Sequence, residues 1–224
     1  MLDLRLGLST PPDPYTDCGC FDDVSTAVPS PAAQAAQRRD DYVCQFCGFQ
    51  SAKYQVCHGS EASGADALVT ACIFCKQVME LDLVLKMRSA VLIWLPELSQ
   101  VAINYSMPEV YVNRLARGAT GGRARDLRDR LIARRELAKA RFGSDEPAEL
   151  IRRLRAASDD RSEIDNALAD GLRILPLDRR IIRSGQLEFN QFPQILAFWR
   201  SRSGPFATGR TRSFERLELD LAGL

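Results

Sequence analysis

Apolar residues fall at positions 2, 4, 6 and 8, all leucines, with polar or small residues between them. That alternation predicts a short strand over 2–8. Serine and prolines at 9–14 end it, and 17–31 shows no period and reads as loop. The segment 31–40, PAAQAAQRRD, predicts a helix with Pro31 in its first turn. Aromatic and β-branched residues at 42–43 and 53–56 predict the two arms of a hairpin pinched around 44–48. A small-residue loop follows at 59–65.

From 68 to 88 the chain turns apolar and is expected to continue as helix, and 91–95 reads as a buried strand stopped by Pro96. Helical spacing runs from 98 to 117, with Pro108 expected to kink or split it. Gly118, Gly121 and Gly122 suggest a hinge. Further helices are expected at 123–142, 147–157 and 161–172, the last ended by Leu175 and Pro176. Phe189, Phe192, Ile195, Leu196 and Trp199 form one more helical stripe within 186–199, constrained by Pro193. Residues 203–224 read as a flexible tail. The pattern predicts an α+β protein whose C-terminal half is mostly helical.

Composition narrows the functional classes. The 224 residues are 46% hydrophobic, with 30 basic and 29 acidic side chains and a formal charge of +1. No global field draws such a chain onto DNA or an anionic bilayer. Asp3 and Arg5 interrupt the N-terminal apolar stretch, so it is no secretory h-region. The stretch 90–95 falls far short of the roughly 20 residues that cross a bilayer. A cytoplasmic protein without direct membrane insertion is the expectation. Arginine outnumbers lysine 26 to 4, which genome composition explains.

Four of the seven cysteines form two C-x-x-C pairs, Cys44 with Cys47 and Cys72 with Cys75, separated by 24 residues. A C-x-x-C turn puts two thiolates on one side of a tight loop, and two such turns can supply the four corners that zinc takes. Gly48 follows the first pair, where backbone must turn without a Cβ. The second pair precedes a predicted helix, whose first amides can donate to a thiolate. A site closed by four sulfurs keeps no position for water, so the zinc is expected to fold the chain rather than catalyse.

His58 is the single histidine, at the end of a predicted strand. A cysteine pair, a strand ending in His, a loop and then Leu68-Val69-Thr70 leading into Cys72 resemble the zinc-stapled HNH endonucleases. The resemblance implies that His58 fills the general-base position. Cys57 then stands where a metal ligand precedes the base, Ala67 where an Asn orients it, and Lys76 where a final ligand would sit. A lysine cation opposes a divalent ion at that place. One functional position of four is retained, so no catalytic residue is expected, with His58 as the fallback. A second metal site from Cys18, Cys20, Cys57 and His58 is a further alternative, with Cys18-Gly19-Cys20 too tight for a usual zinc knuckle.

RDDYVCQFCGFQ at 39–50, LVTACIFC at 68–75 and LIWLPELSQVAIN at 92–104 together resemble the IcmJ/DotN family of type IVB secretion and related conjugation systems. GLRILP at 171–176 extends the resemblance weakly. It implies an HNH-like ββα core over 38–118, preceded by strand, loop and short helix over 1–37 and followed by a helical region over 119–202. It implies Zn²⁺ on Cys44, Cys47, Cys72 and Cys75. It also implies a non-catalytic role as adaptor subunit of a cytoplasmic coupling complex. The partners implied are the C-terminal segment of the coupling ATPase and other subunits of that complex. The chain would then lie peripheral to the inner membrane through its partners and help recruit substrates.

Two surfaces are candidates for that partner. Residues 123–141 hold seven Arg and one Lys against Asp126, Asp129 and Glu136. Helix contacts of Arg125 with Asp129 and of Asp126 with Arg130 would make this a solvated face. Alternatively, Arg128, Arg134 and Arg135 dock an acidic segment. Nucleic-acid binding ranks third, because no aromatic residue is interleaved before Phe142. Phe192 and Trp199 either pack on the domain or anchor a partner. The rival functions are a metal-dependent HNH nuclease using His58 and a zinc-dependent DNA-binding module.

Overall fold

Ser30 opens the first helix of the computed structural model: its Oγ accepts the Ala33 amide at 3.2 Å, and Pro31 takes the first helical position. The structure describes residues 1–8, 30–59, 67–157, 160–184, 186–207 and 216–217. Along them run α1 (Pro31–Arg39), β1 (Gln55–Gly59), β2 (Leu68–Cys72), α2 (Ile73–Met79) and α3 (Leu81–Met87). Then come β3 (Ala90–Trp94), α4 (Gln100–Asn113), α5 (Ala119–Ala133), α6 (Arg135–Phe142), α7 (Pro147–Ala156) and α8 (Ser162–Asp170). The last elements are β4 (Leu172–Pro176), β5 (Ile181–Ser184), β6 (Leu187–Asn190) and α9 (Phe192–Trp199). The fold is mixed α and β, with each sheet a two-stranded antiparallel pair.

The chain divides into two compact units, Met1–Arg88 with Arg179–Thr208, and Ser89–Asp178 with Gly209–Leu224. In the first, β1 pairs with β2 from Gln55↔Cys72 to Gly59↔Leu68. Helix α1 covers this pair, burying Ala33 and Ala36 against Cys57 and Leu68. Gln37 Nε2 donates to the Gln55 carbonyl at 3.0 Å, and Asp40 Oδ2 accepts the Thr70 amide at 2.8 Å. These two side chains tie α1 to one strand each.

The expected hairpin of 42–43 with 53–56 is corrected. Val43 bridges Gln50 alone, which closes a knuckle around the first cysteine pair, and the 55–59 strand takes β2 as its partner. The expected N-terminal strand is also absent. The Leu2 amide donates to Gln45 O, Gly7 N–H donates to Val78 O and the Leu81 amide donates to Gly7 O, but no ladder joins these points. Leu4, Leu6 and Leu8 are half-buried as the alternation suggests, without strand pairing.

In the second unit, all five residues of β3 are buried, as a run of apolar residues between turn signals requires. Its partner is β4, from Ala90↔Pro176 to Trp94↔Leu172. The helix expected over 161–172 stops earlier, α8 ending at Asp170, and Leu172–Pro176 is a strand. Gly171 turns the chain with φ +126°, where a Cβ would lie 2.8 Å from Pro96 N. Gln100 then satisfies the other edge of β4: its Nε2 donates to Ile174 O and its Oε1 accepts Ile174 N, both at 2.8 Å. Pro108 lies inside α4 without ending it. The predicted helix over 123–142 is two, because α5 ends at Ala133 and α6 restarts at Arg135. The stripe over 186–199 is likewise split: Phe189 lies on β6, and the helix begins at Phe192 with Pro193 in its first turn. No helix among the described residues is long and apolar enough to cross a membrane.

Candidate metal centre and its surroundings

The first knuckle is a turn held by backbone. The Cys44 amide donates to Phe49 O and Gly48 N–H donates to Cys44 O, both at 2.9 Å. Gly48 has φ +82°, the left-handed region that a side chain resists. The second pair sits where β2 passes into α2. Cys72 is the N-cap of that helix, and its Sγ accepts the Cys75 amide at 3.3 Å. The helix start therefore offers a donor to sulfur, as the sequence suggests.

The two pairs meet. The Sγ atoms of Cys44, Cys47, Cys72 and Cys75 all lie within 4.8 Å of one another, and all four residues are buried. Cys47 Sγ and Cys72 Sγ are 3.6 Å apart. Four sulfurs on a tetrahedron with Zn–S of about 2.3 Å would be about 3.8 Å apart. The donor set fits one thiolate-bound metal such as zinc.

The protonation chemistry points the same way. Hydrogen bonds from Cys47, then from Cys72 and Cys75, push the Cys44 thiol far below its ordinary range. Burial first, then its sulfur neighbours, push Cys72 well up, and Cys44 and Cys47 push Cys75 well up. One thiolate thus opposes the next. A divalent cation removes that opposition and lets all four ionise.

Each knuckle also sends a ring into one aromatic cluster. Phe49 follows the first pair and meets Trp199 edge-on, with ring centroids 5.4 Å apart; Phe74, inside the second pair, meets the same ring at 6.2 Å. Phe192 stacks on Phe74 at 6.4 Å. Phe192 and Trp199 are 2% and 1% exposed. They are core residues of this unit, so a partner could reach them only by opening the cluster.

His58 ends near Lys76 and Glu80. Lys76 is 1% exposed and pairs with Glu80 one helical turn on, while its Nζ lies 3.5 Å from His58 Nδ1. Glu80 Oε1 is also 3.5 Å from His58 Nδ1. Burial pushes the Glu80 carboxyl up, but His58 and Lys76 outweigh it and hold the group below its ordinary range. Sequence reasoning missed Glu80, although its i,i+4 spacing from Lys76 was a usable signal. Cys57 packs away from this group, its Sγ 3.6 Å from Ala33 O. Cys18 and Cys20 lie outside the described residues.

Arg128, Arg134 and Arg135, three of the seven arginines in 123–141, have internal partners. Arg128 lies 2.9 Å from Asp129 and 3.7 Å from Asp178, Arg134 lies 3.3 Å from Glu97, and Arg135 lies 2.6 Å from Asp145. Arg125 donates to Arg114 O at 2.9 Å. The ion pairs tie three arginines of the segment to acids of their own unit, so reversing those three charges would also break bonds within the second unit.

Comparison with known proteins supplies a relative for part of the chain. Part of this chain is similar to DotN. The Type 4 apparatus protein DotN of Legionella pneumophila subsp. pneumophila (strain Philadelphia 1) is 40% identical over 73 residues. The match covers 30% of this chain and about a third, 34%, of that protein's length. No family profile matches the chain.

Proposed function

We propose that this chain is a non-catalytic, zinc-organised adaptor subunit of a type IVB-like secretion coupling complex. In that role it binds the cytoplasmic part of the coupling ATPase and helps recruit substrates, at the cytoplasmic side of the inner membrane through its partners. The observation that carries the reading is the 40% identity to DotN over 73 residues. The four-sulfur cluster supports it, because a metal closed by thiolates braces the fold and offers no water to activate. The β1–β2 pair running directly into α2 supports an HNH-like ββα core.

The group beside His58 supports the loss of catalysis. A hydrolytic ion at the ligand positions that Cys57 and Lys76 occupy would meet the Lys76 ammonium, which already pairs with Glu80 beside His58. Like charge opposes a divalent cation there.

The test is affinity purification of the tagged full chain from its native host, combined with a nicking assay on supercoiled plasmid with Mg²⁺, Mn²⁺ or Ni²⁺. Co-purification of the coupling ATPase, with no nicking above a buffer control, supports the adaptor. Metal-dependent nicking lost in His58→Ala would instead establish the nuclease. DNA affinity that falls steeply with salt would establish the DNA-binding module.

A further inference from the structure

Helix α3 ends because Arg88 takes a left-handed conformation, φ +50°. Its carbonyl accepts Arg179 Nε at 2.6 Å, which brings the start of the β5–β6 hairpin alongside the helix end. Arg183 lies opposite Glu188 in the hairpin and bonds it at 2.9 Å, and Arg88 reaches the same carboxylate at 3.4 Å. Helix end and hairpin are thus tied through one acidic side chain.

Between them lies a concavity of about 310 Å³. Leu85, Met87, Ile181 and Ile182 give it an apolar floor. Met87 and Ile182 are buried, whereas Leu85 is 42% exposed. Among the described lining residues three cations, Lys86, Arg88 and Arg183, stand around it against one carboxylate, Glu188. All of these residues belong to the first unit.

We propose that this groove docks an acidic segment of a partner protein that carries an apolar anchor. The proposal deepens the adaptor reading and rests on it for the existence of a protein partner. An apolar side chain on Leu85 and Ile181 would supply burial, and flanking carboxylates would meet the excess positive charge. Glu188 holds the two arginines in place until an incoming carboxylate shares them. A second copy of the chain fits less well, because a two-fold contact would set the same three cations against each other.

Two labelled synthetic peptides test this on the zinc-loaded full chain by fluorescence anisotropy. Both carry a central Leu-Ala-Ala-Leu anchor, one flanked by glutamates and the other by lysines. The acidic peptide should bind, more weakly as salt rises, and the basic one should not. K86E/R183E and Leu85→Glu should each weaken binding about tenfold or more. Glu188→Gln should tighten it several-fold by releasing both arginines from their internal acceptor; a merely structural role for Glu188 would not produce this gain. Zinc content and the melting midpoint report folding in every variant.

Equal binding of both peptides, or binding unchanged in these variants, overturns the proposal. So does transfer of the variants' effect to phosphatidylglycerol vesicles, duplex DNA or self-association. Native pull-downs separate the two readings. Capture of secretion-complex subunits that survives Leu85→Glu and K86E/R183E refutes the groove and leaves the adaptor role standing. Groove-dependent binding of the acidic peptide without capture of any such subunit supports the groove and refutes the adaptor role.

Discussion

Phe49 packs edge-on against Trp199, ring centroids 5.4 Å apart at an interplanar angle of 77°. Phe49 comes from the first cysteine knuckle and Trp199 from the last turn of α9, so the contact links the metal centre to the far end of its unit. Trp199→Ala should therefore cost roughly 3–5 kcal/mol, the usual penalty for removing a buried large aromatic. It should also make zinc easier to extract. Urea melts and zinc release to a chelator measure both effects, and an unchanged release rate would separate the cluster from the metal site.

Lys76, Glu80 and His58 give a second prediction. Lys76→Met removes the buried cation and leaves the Glu80 carboxylate largely shielded from water, which should destabilise the protein by roughly 3 kcal/mol. K76M/E80L should recover most of that loss, since a buried ion pair is often replaceable by apolar side chains. A double-mutant cycle by chemical denaturation reads the coupling. Equal damage in the single and double variants would show that Lys76 acts through something other than Glu80.

Asp178 sets an acid limit on the second unit. Burial pushes its carboxyl up, but Arg114, bonded at 2.6 Å, and then Arg128 outweigh burial and depress it below its ordinary value. The unfolded chain then takes up this proton at a higher pH than the folded one. The pair's stabilisation is present above the unfolded carboxyl value of about 3.9 and is lost as pH falls through the lower folded value. Asp178→Asn should lower stability at neutral pH, and its deficit should shrink in acid below about pH 4. Denaturation midpoints across that range provide the measurement.

Short-range chemistry was legible in the sequence; distant pairing was not. The spacing of Cys44, Cys47, Cys72 and Cys75 dictated a cluster that four buried sulfurs reproduce. Uninterrupted apolar character marked β3, and proline and serine marked the start of α1. β4 escaped because the helical period reads on through Gly171, the residue that in fact ends α8, and its partner β3 lies far back in the chain. The partner of β1 was misread because Val43 and Gln50 satisfy each other inside the knuckle, leaving β2 to complete the pair. Trp199 carried no local sign of burial: a helical apolar stripe can face a core or a partner, and only the rings from both knuckles decide between them. Glu80 escaped because its partner is a lysine buried beside the metal ligands, a place where charge is rare.

The four sulfurs allow the most direct test. Zinc-edge X-ray absorption and elemental analysis of the purified full chain should give one zinc per chain, with a shell of four sulfurs at about 2.3 Å. Cys44→Ser should yield unfolded or insoluble protein. A nitrogen or oxygen scatterer in the first shell, or a second ion held at His58, would contradict a closed structural site and return the metal to chemistry.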